Sequence, residues 1–121
     1  GGIVYLTDLD ATAGAEAAAE TGAVAFLRHD VTDESDWRAV VERVLADQGR
    51  IDVLVNNAGI IAWATMTQSS LEAWNRIVAV NQTGTFLGMR AVADAMKAQR
   101  SGSIVNVSSV AGIGGSSPCF V

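Results

Sequence analysis

The segment 53–60, which reads Val-Leu-Val-Asn-Asn-Ala-Gly-Ile, decides the fold class of this sequence. Its first three residues are apolar and favour a buried β-strand, and the asparagines and glycine that follow favour a turn. The small residues Ala58 and Gly59 let a flat ligand approach the backbone closely where the strand ends. The segment therefore predicts a buried strand whose carboxyl end forms part of a binding site.

Strand-like and helix-like segments alternate along the whole chain of 121 residues. Apolar runs of strand length occupy 3–6, 23–27, 51–55 and 103–107. The predicted helices lie between them, at 10–20, 33–49 and about 69–99. Strands that alternate with helices of about ten or more residues are typical of a parallel sheet with helices on both faces. We therefore predict a single α/β domain over residues 1–121.

The helix boundaries follow from residues that favour capping. Asp33 is expected to open the second helix and Gly49 to end it. Ser69 and Glu72 have the spacing of a capping box, which places the start of the third helix at Ser69. The apolar residues of 82–99 fit two interpretations equally well, an intramolecular core or a contact with a second copy of the chain.

Composition and charge exclude several classes of function. The formal charge is −5, from 8 basic and 13 acidic residues, which argues against nucleic-acid and anionic-membrane partners. The single histidine, His29, and the single cysteine, Cys119, exclude a Cys/His zinc site and a disulfide framework, so we expect no metal. Residues 1–6 lack the pattern of a secretory leader, and no apolar run approaches membrane-spanning length, so a cytoplasmic protein is expected. His29 is expected at the surface or at a strand end, without a catalytic role.

Polar residues follow the predicted strands at the edge where open α/β sheets bind their ligands. Asp8 follows the first strand, where a carboxylate can accept hydrogen bonds from ribose hydroxyls and repel a 2′-phosphate, which favours NAD over NADP. Asp30 follows the second strand and could bind an adenine amino group. Either aspartate could instead serve only to begin a turn.

At these residues the sequence resembles the short-chain dehydrogenase/reductase family. Segment 56–59 matches the N-N-A-G motif of that family, Asp30-Val31 matches its D-V pair, and Asp8 matches the acid after its second strand. Asn81 matches the asparagine of the catalytic tetrad. Ser109, within Asn106–Gly112, matches the catalytic serine. The resemblance extends over essentially the whole chain.

The resemblance implies a Rossmann-like, doubly wound sheet and an NAD-dependent oxidoreductase that interconverts a secondary alcohol and a ketone. It implies that Ser109 hydrogen-bonds the substrate oxygen and that Asn81 helps to order a water molecule. Homotetramers or homodimers are common in the family. The residues expected to contact NAD are Asp8, Asp30, Val31, Asn57, Ala58 and Gly59.

Two motifs of the family are not found in these 121 residues. The glycine-rich turn that seats the pyrophosphate would precede Gly1, and the tyrosine of the Y-x-x-x-K pair would follow Val121 directly. The segment 112–115 has no helix pattern after it and does not replace the glycine-rich turn. In the strand order of the family, the first strand lies between those at 3–6 and 51–55. We therefore expect this chain alone to fold poorly and to be inactive.

Substrate class and activity leave alternatives open at this stage. The apolar segments 60–64 and 110–120 are expected to line the substrate pocket and suit an alicyclic, steroid-like or acyl ketone. A non-catalytic relative that binds a dinucleotide as a sensor or regulator is the alternative, although it would need neither Asn81 nor Ser109. A structural α/β domain that binds another nucleotide is a third possibility.

Overall fold

The structure is a computed structural model that describes residues 1–112 and 114. Its four strands are β1 (Tyr5–Asp8), β2 (Ala25–Arg28), β3 (Val53–Asn56) and β4 (Ser103–Asn106). Its α-helices are α1 (Ala11–Thr21), α2 (Glu34–Gln48), α3 (Leu71–Val78) and α4 (Thr85–Gln99). A π-helical segment, Ala79–Gly84, joins α3 to α4, and a 3₁₀ turn, Val110–Gly112, follows β4. This is a partial Rossmann-like α/β fold, as the alternation of segments predicts.

The strands form two separate parallel pairs in the described residues. β1 pairs with β2, so that Asp8 lies opposite Arg28, and β3 pairs with β4, so that Asn56 lies opposite Asn106. Because all four strands are parallel within their pairs, the prediction of a parallel sheet is confirmed.

Capping residues explain where the first two helices begin and end. Asp10 accepts hydrogen bonds from the backbone of Thr12 and Ala13, both at 3.0 Å, and begins α1. Asp33 caps α2 in the same way. Gly49 then ends α2 with φ at 71°, a left-handed conformation that glycine adopts without strain. The predicted limits of α2 are therefore confirmed.

Two details of the predicted elements were wrong. The hydroxyl oxygen of Ser70, not that of Ser69, accepts the hydrogen bond from the backbone N–H of Ala73 at 3.1 Å and caps α3. β1 begins and ends two residues later than the apolar run at 3–6, so Asp8 is the last residue of the strand. The apolar run and the strand do not coincide because pairing with β2, and not hydrophobicity, determines where β1 begins and ends.

The buried core lies where α2 and α4 pack together near the ends of β2 and β3. Trp37, Leu87 and Val92 are buried there. Burial of Leu87 and Val92 assigns part of the apolar face of α4 to the intramolecular core, whereas Phe86 stays half-exposed beneath the guanidinium of Arg90. His29 is only 2% exposed and directly follows β2, so of the two expected positions the one at a strand end is correct and the one at the surface is not.

None of the helices in residues 1–112 and 114 is both long and apolar enough to cross a membrane.

Candidate functional site

An open cavity of about 490 Å³ lies at the carboxyl ends of β1, β2 and β3. Its size is within the range of sites for small organic ligands. All six residues expected to contact the cofactor line it: Asp8, Asp30, Val31, Asn57, Ala58 and Gly59. The carboxyl-end rule for parallel sheets thus places these residues around one space, although 22 to 51 positions separate Asp8 from the others in sequence.

Asp8 presents an exposed carboxylate at the end of β1. Its Oδ1 accepts a hydrogen bond from the backbone N–H of Asp10 at 3.0 Å, and this contact stabilises the turn that precedes α1. Its backbone carbonyl accepts from the N–H of His29 at 2.9 Å. Asp8 therefore shapes a turn, and its second carboxylate oxygen has no partner in the described part of the chain.

Asp30 is held by its own turn. Its Oδ1 accepts hydrogen bonds from the backbone N–H of Thr32 at 2.9 Å and from the hydroxyl of Thr32 at 2.7 Å. These bonds stabilise the carboxylate and hold the pKa of Asp30 below its ordinary value. Asp30 is therefore charged at neutral pH and keeps one oxygen that can accept a hydrogen bond from a ligand.

A contact with α2 holds Val31 in its place in the cavity wall. The indole N–H of Trp37 donates to the carbonyl oxygen of Val31 at 2.9 Å. The ring of His29 packs against that indole edge to face, with 4.2 Å between ring centroids and an interplanar angle of 85°. Nδ1 of His29 is hydrogen-bonded to Oγ1 of Thr7 at 3.2 Å. These contacts connect the ends of β1 and β2 to α2.

Asn81 clamps the chain just after the N-N-A-G segment. Its side-chain carbonyl accepts from the N–H of Ile60 and its amide donates to the carbonyl of Ile60, both at 2.8 Å. A Cβ atom at Gly59 would lie 3.7 Å from Oδ1 of Asn81. The side chain of Asn81, which lies in the π-helical segment, therefore holds the residue that directly follows the turn 57–59.

Ser109 lies outside this cavity in the described residues. Its hydroxyl oxygen accepts a hydrogen bond from the N–H of Ala111 at 3.2 Å, and its side chain is exposed. The predicted substrate-lining segment 110–120 is only partly described, because 113 and 115–121 lie outside the described residues. The structure thus brings Asn81 to the binding turn and leaves Ser109 on the chain after β4.

A second cavity of about 440 Å³ lies between the chain after Gly59 and α3. Ile60, Ile61 and Ala62, which the sequence predicts to line a substrate pocket, line this second cavity. Arg76 lines both cavities and is the only Lys or Arg side chain on either wall within the described residues.

Sequence reasoning missed three residues of the site. Arg76 gives no signal in the sequence, because an arginine on a predicted helix is usually solvated. His29 and Trp37 are linked only by tertiary contact. The one sequence signal for Trp37 is its place in the apolar stripe of α2, which predicts burial but not its hydrogen bond to Val31.

Comparison with known proteins gives a consistent result. The family model described as short chain dehydrogenase matches residues 1–119. Cyclopentanol dehydrogenase from Comamonas sp. (strain NCIMB 9872) is 43% identical over 119 residues, which are 95% of this chain and 48% of that protein. The 3-alpha-(or 20-beta)-hydroxysteroid dehydrogenase of Mycobacterium tuberculosis (strain ATCC 25618 / H37Rv) is 41% identical over 117 residues, which are 97% of this chain and 45% of that protein.

Two further matches are a relative whose name describes it as inactive and a solved structure. The inactive 2-(S)-hydroxypropyl-CoM dehydrogenase 2 of Xanthobacter autotrophicus (strain ATCC BAA-1158 / Py2) is 43% identical over 116 residues, 95% of this chain and 50% of that protein. The crystal structure of gox2181 superposes with a TM-score of 0.88 at 31% identity, over 98% of this chain and 48% of that one. The chain spans about half the length of the curated relatives it matches.

Proposed function

Because the chain belongs to the short-chain dehydrogenase family, we propose that the protein is an NAD-dependent oxidoreductase that interconverts a secondary alcohol and a ketone. The observation that carries this proposal is the gathering of Asp8, Asp30 and the turn 57–59 around one cavity. The activity is proposed for the protein in the form that its gene encodes, which we call the gene-encoded protein.

The residues around the cavity fit an adenine nucleotide. Asp8 and Asp30 each keep one carboxylate oxygen without a partner among the described residues, and these oxygens can accept hydrogen bonds from ribose hydroxyls and an adenine amino group. The methyl group of Ala58 and the absence of a side chain at Gly59 leave the backbone open to a flat ring. When bound, NAD supplies hydride acceptance and its reduced form supplies hydride donation.

The charge on Asp8 underlies the proposed preference for NAD over NADP. A carboxylate at the end of β1 repels a 2′-phosphate, whereas it accepts hydrogen bonds from the free ribose hydroxyls of NAD. Arg76, which could offset that repulsion, belongs to α3 on another wall of the cavity.

The chain's own residues hold and position the reacting groups. In our proposal, the hydroxyl of Ser109 donates a hydrogen bond to the substrate oxygen and stabilises the negative charge that develops there. Asn81 holds the turn that carries Gly59 by its two bonds to Ile60, so that the ligand meets a fixed surface. The substrate is proposed to be an alicyclic or steroid-like secondary alcohol, in keeping with the apolar segment 60–64 and the names of the relatives.

The proposed partners are the small-molecule alcohol or ketone and further copies of the chain. The half-exposed Phe86 on α4 leaves an apolar residue available for self-association as a homodimer or homotetramer. Sedimentation of the gene-encoded protein tests this self-association, and a monomeric protein would contradict it.

Neighbouring serines provide a matched test of the activity. Ser109→Ala should lower kcat for oxidation of cyclopentanol with NAD by about 10²–10³-fold, because one stabilising donor at the substrate oxygen is lost. Ser108→Ala, one position earlier, should retain most of the activity. NADH formation by the gene-encoded protein is the measurement, and equal rates for both variants would contradict the assigned role of Ser109.

The non-catalytic alternative has one specific observation in its favour, the similarity to a relative named as inactive. Sequencing the coding DNA on both sides of this segment separates the two proposals. A tyrosine directly after Val121 and a lysine four positions further on would support the dehydrogenase. Another residue in place of that tyrosine would favour a dinucleotide-binding sensor or regulator.

A further inference from the structure

His29 is a buried titratable group directly beneath the cavity. Its side chain is 2% exposed, and it also contributes to the cavity wall. It follows the last residue of β2 and immediately precedes Asp30 and Val31, which line the same wall. His29 is therefore joined directly, through the backbone, to residues that line the cavity.

Three contacts hold His29 in this position, two of them through its ring. Nδ1 is hydrogen-bonded to Oγ1 of Thr7, the backbone N–H donates to the carbonyl of Asp8, and the ring packs on Trp37. Trp37 in turn holds the carbonyl of Val31. The ring of His29 thus joins the end of β1, the wall at Val31 and α2 into one unit.

The second ring nitrogen is suited only to the neutral state. Nε2 is buried and has no hydrogen-bond partner among the described residues. A protonated imidazole carries an N–H on both nitrogens, so Nε2–H would be a buried donor with nothing to accept it. Burial accordingly lowers the pKa of His29, although the charges of Asp36 and Asp30 act in the opposite direction.

The charged groups around His29 are engaged elsewhere. On α2, Asp36 accepts the backbone N–H of Asp30 at 2.8 Å and lies 3.7 Å from the guanidinium of Arg28. The carboxylate of Asp30 accepts its described hydrogen bonds from Thr32, and that of Asp8 accepts from the backbone N–H of Asp10. From the remaining packed elements, Arg90 of α4 pairs with Glu34 of α2, and Asp33 bonds to Ser35. No carboxylate in the described residues contacts the imidazole directly, so Asp36 and Asp30 act on a positive charge there only across space and leave Nε2–H without an acceptor.

We propose that neutral His29 is a positioning residue for the nucleotide cavity, and that its protonation loosens the Asp30–Val31 wall and weakens nucleotide binding. The proposal rests on the proposed function, because the affinity that it changes is that for NADH. It adds to that function a residue that contacts neither substrate nor reacting atoms and acts through Asp30, Val31 and Trp37.

The test compares three forms of the gene-encoded protein: wild type, His29→Asn and His29→Phe. Asparagine places an amide near the position of Nδ1 and can keep the bond to Thr7, but it does not titrate. Phenylalanine keeps a ring against Trp37, does not titrate and loses that bond. NADH dissociation constants are measured by fluorescence titration between pH 7.5 and 5.0, and circular dichroism checks that each form is folded.

We expect wild-type affinity to fall by up to roughly tenfold for each pH unit below the pKa of His29 in the free protein. His29→Asn should bind within about threefold of wild type at pH 7.5 and lose most of this pH dependence. His29→Phe should bind several-fold more weakly at pH 7.5. Identical pH profiles for wild type and His29→Asn would overturn the proposal.

A second readout separates this proposal from the proposed function. Protonation of His29 should change the fluorescence of Trp37, so a pH transition should be present in wild type and absent from both His29→Asn and Trp37→Phe. If no form binds NADH at pH 7.5, the proposed function fails. Fluorescence alone then tests the coupling of His29 to Trp37, and the coupling is overturned if wild type shows no pH transition that depends on His29.

If His29→Asn does not fold, Thr7→Val is used in its place. Thr7→Val should weaken NADH binding and retain the pH dependence.

Discussion

Two apolar regions of the molecule differ sharply in burial. The junction of Trp37, Leu87 and Val92 between α2 and α4 is almost closed to solvent. Val53 and Val55 of β3 are 56% and 55% exposed, although they belong to the apolar run that most strongly predicts a buried strand. An apolar run thus specifies a strand, whereas burial of that strand requires a packing partner on each of its faces. α4 packs against β3 but leaves these two valines uncovered.

The largest expected effect concerns the 121-residue chain expressed alone. The exposed valines and the two separate strand pairs leave apolar surface and sheet edges open to other molecules, so this chain should aggregate or lack a cooperative thermal transition. Differential scanning calorimetry measures the transition. A sharp, reversible melt would show that the contrast between the two regions does not limit folding.

One substitution in each region tests directly whether burial determines the cost in stability. Trp37→Ala should lower the free energy of unfolding by about 3–5 kcal/mol, because it empties a buried ring site and removes the hydrogen bond to Val31. Val55→Ala should cost less than about 1 kcal/mol if β3 is as exposed in the gene-encoded protein as it is here. Urea denaturation gives both values. A cost for Val55→Ala close to that for Trp37→Ala would mean that further residues cover β3.

A glycine pair tests how tightly the junction is packed. A Cβ atom at Gly88 would lie 2.4 Å from Oδ1 of Asn56 and 2.7 Å from the ring of Trp37, so Gly88→Ala should cost about 1–3 kcal/mol. Gly2→Ala is the control, since nothing lies within 4 Å of its Cβ position. Both are compared by thermal denaturation. If Gly88→Ala leaves the thermal stability unchanged, the side chains around Gly88 can move to make room for the added methyl group.

The smallest expected effect is the pH dependence of stability. Burial lowers the pKa of folded His29 below the ordinary 6.5, so the unfolded chain binds the proton more readily. The free energy of unfolding should therefore fall as the pH decreases from about 6.5, by at most about 1.4 kcal/mol per pH unit. The lowered pKa of Asp30 acts in the same direction in a more acidic range, below about 3.8. Urea titrations at several pH values should show a slope that His29→Asn reduces, and an unchanged slope would contradict the assignment.

Much of the fold and part of the site could be predicted from the sequence. The strand–helix alternation predicts the parallel pairs, and Asp33 and Gly49 predict the limits of α2, because these signals act over a few residues. The carboxyl-end rule predicts that Asp8, Asp30 and the turn 57–59 line one cavity. The burial of His29 could not be predicted, because it depends on Thr7 and Trp37, which lie 22 and 8 positions away. The exposure of Val53 and Val55 was missed for a related reason, since it depends on which elements cover the sheet.

Binding of an adenine dinucleotide beside Asp8 is tested by the affinities of the gene-encoded protein for NADH and NADPH, measured for wild type and Asp8→Asn. We predict that wild type binds NADH more tightly than NADPH. We also predict that Asp8→Asn narrows this difference, because the charge that repels the 2′-phosphate is removed. Failure of wild type to bind either dinucleotide, or tighter binding of NADPH that Asp8→Asn leaves unchanged, would contradict this assignment.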